Sequence, residues 1–202
     1  MTEKEKAAQG LLYDPATDRE LIAERARCKA LCHEYNHLHP DRTGERDALI
    51  RQILGRVTGT FWIEPRLWCD YGYNVHIGDR FYANHGCVIL DGAPVTFGDN
   101  VLLAPCCGFY TAGHPLDAAQ RAAGLEYAYP ITVGHDVWIG AHVAVLPGVT
   151  IGDNTVIGAG SVVNRDIPSG VVAAGYPCRV LRKITGRDVM DATRPWAALR
   201  RT

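Results

Sequence analysis

From Ile131 the chain repeats in sixes: ITVGHD-VWIGAH-VAVLPG-VTIGDN-TVIGAG-SVVNRD. Val133, Ile139, Val145, Ile151, Ile157 and Val163 recur at that spacing, and Gly134, Gly140, Gly152 and Gly158 follow four of them. Two positions before each aliphatic stands a second small or β-branched residue: Ile131, Val137, Val143, Val149, Thr155 and Ser161. An amphipathic helix has a period of about 3.6 and a half-buried strand one of about 2, so the repeat fits neither. It is the mark of a β-solenoid, in which each hexapeptide is one short strand and a turn. Three hexapeptides complete a triangular coil, and successive coils stack at the strand spacing of roughly 4.8 Å. The aliphatics then point inward. Each following Gly is expected at a corner, where the missing Cβ permits backbone angles that other residues resist.

A looser series precedes this tract. Val75-His76-Ile77-Gly78-Asp79 and Phe97-Gly98-Asp99-Asn100-Val101 carry the same aliphatic-then-Gly pattern, but Ile77 and Phe97 are 20 residues apart. That spacing is not a multiple of six, and a two-residue widening is expected at Asp91-Gly92-Ala93-Pro94. From Tyr110 to Pro130 the rhythm disappears, and an irregular insertion of that length in a compact domain is usually functional. It contains Thr111-Ala112-Gly113-His114-Pro115.

The 21 basic and 22 acidic side chains nearly cancel. With no dense basic run, nucleic acid is not an expected partner. No apolar stretch approaches a membrane span, and the charged start Met-Thr-Glu-Lys-Glu-Lys lacks a signal core, so a cytoplasmic protein is expected. Seven cysteines without a CxxC pair read as small buried hydrophobes in a reducing compartment. Residues 1–57 are helical in pattern. Thr17-Asp18-Arg19-Glu20 reads as a capping box, and Leu21, Cys28, Leu31, Cys32, Tyr35 and Leu38 follow on one face. His39-Pro40 ends that helix, and Asp41 opens a second one running to Gly55 as its C′ residue. Such a hairpin needs the solenoid for stability, and should cover an end or an open sheet edge. Residues 186–202 are expected as a tail or a short helix from Asp188 to Arg200.

Six motifs in order now carry a resemblance. They are Tyr35-Asn36-His37 with Pro40, Cys69-Asp70-Tyr71-Gly72-Tyr73-Asn74, Phe81-Tyr82-Ala83-Asn84, Gly113-His114-Pro115, Asn164-Arg165-Asp166-Ile167-Pro168, and Ala174-Gly175-Tyr176-Pro177-Cys178-Arg179. The chain resembles the hexapeptide-repeat acyltransferases, and within them the maltose/galactoside O-acetyltransferases, on the maltose side. The resemblance implies a left-handed parallel β-helix over 58–185, with the helical extension before it and a catalytic loop inserted at 110–130. It also implies acetyl-CoA as co-substrate, no metal, and a homotrimer with sites between neighbouring solenoids.

Residue by residue, His114 matches the family's catalytic histidine. A sugar hydroxyl is a poor nucleophile at neutral pH, and an imidazole with a pKa of about 6.5 can take its proton as it attacks a thioester. Asp70 and Asn84 match acceptor-binding positions, with Asp14, Tyr82, Asp91 and Glu126 as further candidates for that pocket. In galactoside-acetylating relatives the position of Asp70 resembles a serine and that of Glu126 a methionine, which points here to the 6-hydroxyl of maltose, glucose or a related glycoside. For the cofactor the resemblance points to Trp138 along the pantetheine arm and to the Ala141 N–H as oxyanion donor. Ala159, Asn164 and Arg165 line the arm and adenosine, while Arg179, Arg182 and Lys183 hold the phosphates. Each has a plainer alternative: a surface histidine, solenoid-turn Asn and Asp, a core tyrosine, an interface tryptophan, a solvated basic tail. Two other classes use the same solenoid. A zinc hydratase of the γ-carbonic anhydrase type would need three converging histidines from His76, His85, His114, His135 and His142, and a non-catalytic scaffold would need none.

Overall fold

The inward positions decide the architecture. In this computed structural model, which describes residues 1–190, the aliphatic at every sixth position is sealed: Val133, Ile139, Val145, Ile151, Ile157 and Val163 are all 1% exposed or less. Each such side chain contributes roughly 1.5–3 kcal/mol by leaving water. Thr155 and Ser161 lie equally deep and satisfy their hydroxyls on backbone carbonyls, of Pro168 and Gly158 respectively. In the wider early coils the filling is aromatic, Phe97 standing between Phe81 and Phe109 at 5.1 and 4.9 Å.

Three parallel walls result, as the left-handed parallel β-helix requires. The first stacks Arg56–Val57, Val75–Ile77, Val95–Phe97, Ile131–Val133 and Thr150–Ile151. The second stacks Phe61–Ile63, Phe81–Ala83, Leu102–Leu103, Trp138–Ile139, Val156–Ile157 and Val171–Ala174, then closes with Arg179–Lys183 running antiparallel. The third stacks Leu67–Cys69, Cys87–Leu90, Gly108–Tyr110, Ala144–Val145 and Val162–Val163. Register confirms the widening: Val57 pairs with Ile77, and Val75 with Val95, 20 residues on. Val133 pairs with Ile151 at the regular 18.

The glycines have a different reason from the one expected. Those after the aliphatics do not take positive φ; that conformation falls two positions later, on Asp136, His142, Gly148, Asn154 and Gly160. Gly140 is required by close approach: a Cβ there would lie 2.6 Å from the backbone nitrogen of Ala159 in the next coil. Coils stacked at about 4.8 Å leave no room for it.

Helix α1 (Glu3–Ala8) packs beside Ala93 and the Tyr127–Ala128 strand, while helices α2 (Arg19–His37) and α3 (Thr43–Ile53) cover the first coil. α1 was not foreseen, and Thr2 caps it in a box with Glu5. α2 is capped by Asp18, whose carboxylate accepts from Leu21 N; the Thr17 hydroxyl, expected in that role, donates to Asp14 instead. Asp41 does not open α3, which begins at Thr43; its carboxylate lies 3.4 Å from His39 Nδ1. Arg42 occupies the N-cap without a side-chain bond. The edge of the first coil is closed by side chains. Asn36 bonds both backbone groups of Leu67 at 2.8 and 2.9 Å, and Arg46 and Tyr35 donate to Ile63 O, which removes an open pairing template. Six of the seven cysteines are buried and Cys106 is exposed, all unbridged. Among the described residues no helix is long and apolar enough to cross a membrane. Gly186–Asp188 form a single 3₁₀ turn, and the rest of the expected C-terminal helix, from residue 191, lies outside the described residues.

Candidate active site

The interrupted coil builds a projecting hairpin. Phe97 pairs with Val133, 36 residues on and twice the regular coil, so the insertion leaves and rejoins the solenoid without disturbing its register. Ala112–Gly113 pair antiparallel with Tyr127–Ala128, and between them a short helix α4 (Ala118–Ala122) is capped by Asp117 through Gln120 N. The extension clasps this hairpin: Tyr13 N donates to Glu126 O at 3.0 Å and Glu126 N to Tyr13 O at 2.9 Å. His114 stands at the hairpin's end, more than half exposed. Its Nδ1 faces the Leu125 carbonyl at 3.3 Å. A carbonyl only accepts, so this contact places a proton on Nδ1 and leaves Nε2 as the nitrogen turned outward. Nε2 is 3.9 Å from Glu126 Oε1.

Beside it opens a polar cleft of about 230 Å³, lined among others by Arg25, Lys29, Asp70, Tyr71, Ala112 and Glu126. Burial pushes the carboxyl of Asp70 up, against the attraction first of Lys29 and then of Arg25. Burial also raises Glu126, opposed by His114. Beneath the cleft floor Asp91 is fully buried, its Oδ1 accepting the N–H groups of Asp70 (3.0 Å) and Tyr71 (2.9 Å). Burial pushes this carboxyl up to about 6.

The expected residues therefore separate into two groups. His114, Asp70 and Glu126 meet at the corner between the third and first walls. Asp91, expected in the acceptor pocket, lies under its backbone. Asp14 folds onto its own turn, accepting from Ala16 N, Thr17 N and the Thr17 hydroxyl, and so does not reach the cleft. Tyr82 and Trp138 share an outward column of the second wall with Trp62 and Leu102. Asn84 follows at the corner between the second and third walls, its Oδ1 held by His85 N at 2.7 Å. Ala141 and Ala159 stack at that same corner, Gly160 N donating to Ala141 O. Asn164 and Arg165 follow Val163 at the end of the third wall, on the turn towards the first; Arg179 reaches Asn164 at 3.3 Å, while Arg165 and Lys183 are exposed. Arg182 is not a free cation, being held by both carboxylate oxygens of Asp188 at 2.7 and 2.9 Å. The width of the third wall lies between the His114 corner and the Ala141–Ala159 corner within one chain. No three His, Cys, Asp or Glu side chains among the described residues are placed to hold a metal ion.

Sequence reasoning missed Tyr13, Arg25, Lys29 and Tyr71 as cleft residues. The one available signal was the i, i+4 spacing of Arg25 and Lys29, which puts both on one helix face.

Comparison with known proteins gives a consistent picture. Residues 6–59 match the family described as the maltose acetyltransferase hexapeptide capping motif, and residues 130–165 the bacterial transferase hexapeptide of six repeats. The galactoside O-acetyltransferase of Escherichia coli K12 is 48% identical over 188 residues, covering 93% of this chain and 91% of the relative. Among solved structures, a maltose O-acetyltransferase from Clostridium difficile 630 superposes with a TM-score of 0.90 at 49% identity, covering 92% of this chain and 98% of that one. A galactoside acetyltransferase in complex with coenzyme A gives 0.91 at 46% identity, covering 96% of each.

Proposed function

Because this chain belongs to the hexapeptide-repeat acyltransferases, in the branch of the maltose and galactoside O-acetyltransferases, we propose that it moves an acetyl group from acetyl-CoA to a sugar hydroxyl by direct transfer, with His114 as general base. The observation that carries this reading is the placement of His114, with Nδ1 on the Leu125 carbonyl and Nε2 turned towards Glu126 at the edge of a polar cleft. Nε2 takes the hydroxyl proton as the sugar oxygen attacks the thioester carbonyl. The tetrahedral intermediate collapses by breaking the carbon–sulfur bond, and the imidazolium returns its proton to the leaving CoA thiolate. The thioester is already activated, so no acyl-enzyme is required.

The oxyanion needs a preorganised donor. The Ala141 N–H fits that role, since it has no acceptor among the described residues. Trp138 flanks the pantetheine arm, and Ala159, Asn164, Arg165, Arg179 and Lys183 accommodate the remainder of the coenzyme. Arg182, tied to Asp188, serves that end only indirectly. His114 and Ala141 lie on different corners of one solenoid, which supports a homotrimer in which the His114 corner of one copy faces the Ala141 corner of the next. Asp70 and Glu126 are acceptor-only groups when ionised and fit the hydroxyls of a glucosyl acceptor such as maltose or glucose, with Asn84 and Tyr82 contributed across the interface.

The test is His114→Ala, assayed by sugar-dependent CoA release. The rate should fall by about two to four orders of magnitude, the usual share of a general base, with melting temperature and assembly unchanged. A rate near that of the unaltered enzyme removes His114 from the mechanism.

A further inference from the structure

The acceptor cleft has an unassigned wall, the face of α2. Arg25 and Lys29 both line it, and their side chains are situated differently. Arg25 is anchored on the protein through both terminal nitrogens. Its Nη1 donates to the Tyr71 hydroxyl at 2.7 Å and its Nη2 to the Pro15 carbonyl at 2.6 Å, with the guanidinium lying over the Tyr71 ring. It thereby ties α2 to two other sides of the cleft. One turn further on, Lys29 is exposed and makes no ion pair or hydrogen bond among the described residues, whereas Lys4 and Lys6 of α1 are both paired with glutamates. Across the cleft, the Asp70 carboxylate also accepts no hydrogen bond among the described residues, while the Asp70 N–H donates to Asp91.

Resting on the sugar acetyl-transfer reading above, we propose that Lys29 is an acceptor-binding residue, which grips one sugar hydroxyl together with Asp70 and so sets the ring's orientation towards His114. The chemistry of the lining requires such a donor. A sugar hydroxyl both gives and takes a hydrogen bond, but ionised Asp70 and Glu126 only accept. Arg25 is held in place by Tyr71 and Pro15, whereas the Lys29 ammonium, with no partner among the described residues, is a donor on a flexible stem that can move to a hydroxyl. A hydroxyl that donates to Asp70 while accepting from Lys29 polarises in one direction, and each bond strengthens the other. Arg25 is the positioning residue of the pair, because it holds the helix face against the Asp70–Tyr71 turn. The occupant implied is a neutral polyol ring, not an acyl group or a nucleotide.

The experiment is steady-state kinetics of CoA release with glucose, maltose and a β-galactoside as acceptors. Lys29→Met should raise the acceptor KM roughly tenfold, the loss of one charge-assisted hydrogen bond. The KM for acetyl-CoA and the melting temperature should not move, and Lys29→Arg should recover part of the loss. An unchanged acceptor KM in Lys29→Met, with His114→Ala inactive, overturns the Lys29 assignment alone. An equal rise in both KM values overturns it too, since it would report a disturbed site. An unaltered enzyme that releases no CoA with any of these sugars overturns the acetyl-transfer reading and this assignment together.

Discussion

Replacing Asp91 by Asn separates charge from geometry at the floor of the cleft. One carboxylate oxygen of Asp91 accepts two backbone N–H groups, and the other is buried without a partner. Burial raises the carboxyl from 3.8 to about 6 against the pull of those N–H groups. The sign follows from linkage. A group whose pKa is higher in the folded state binds its proton more tightly there, so its contribution to stability is complete below pH 3.8 and is lost as pH rises through about 6. That displacement is worth about 3 kcal/mol as an order of magnitude. Asparagine keeps an oxygen for the two N–H groups and carries no charge, so the slope disappears. Its amide nitrogen takes the unpartnered position, which costs about 1–3 kcal/mol at every pH. The two effects offset one another near neutrality, and the informative quantity is the difference between the two proteins. Urea unfolding from about pH 4 to about pH 7 should show Asp91→Asn gaining about 3 kcal/mol relative to the unaltered chain. Parallel stability curves would refute a strained, buried carboxylate. Catalysis should survive Asn within a few-fold, whereas Asp91→Leu, which orphans the N–H groups of Asp70 and Tyr71, should raise the acceptor KM.

Gly140→Ala tests the stacking argument. Its Cβ would meet Ala159 N at 2.6 Å and the Ile157 carbonyl at 2.9 Å, both backbone atoms that cannot rotate away. A loss of about 1–3 kcal/mol, read as a lower melting temperature, is expected; an unchanged melting temperature would refute the close-approach explanation. Asp70→Ser should weaken glucosyl acceptors more than β-galactosides in the CoA-release assay, and equal losses would show that Asp70 does not set this preference.

The solenoid was legible because its core repeats: one buried column every six residues leaves a period that local sequence cannot hide. His114 was legible for the opposite reason, as a histidine in the stretch where the period fails. What escaped depends on tertiary proximity. Thr17 and Asp18 are both good N-caps, and only the turn at Asp14, which draws in the Thr17 hydroxyl, leaves the cap to Asp18. α1 has six residues drawn from Glu, Lys and Ala, too few and too polar for an apolar period. Asp91 reads as a turn residue until the coil above covers it. Arg25 and Lys29 read as a solvated helix face until the third wall and the hairpin bring Asp70 and Glu126 opposite them. The glycines were found, but for the wrong cause, because sequence shows that a side chain is missing without showing what stands in its place.

Every departure from the hexapeptide rhythm in the first three coils falls at one corner. Between Cys69 and Ile77, between Ile89 and Phe97, and between Phe109 and Val133 the chain takes extra residues, while all other steps from Val57 to Ile151 keep to six. The physics of the core explains the restriction. An extra residue within a wall would turn the inward column outward for the rest of that strand, so additions survive only where the chain turns. Placing them at the same turn in successive coils stacks Asp70-Tyr71, then Asp91-Gly92, then the His114 hairpin. The lower bulge supplies a carboxylate, the middle one braces it, and the long insertion supplies the base. A length change at another corner would leave the core equally intact but would place its side chains on a different edge of the prism. The position of the irregularities, more than their sequence, is what assembles a site.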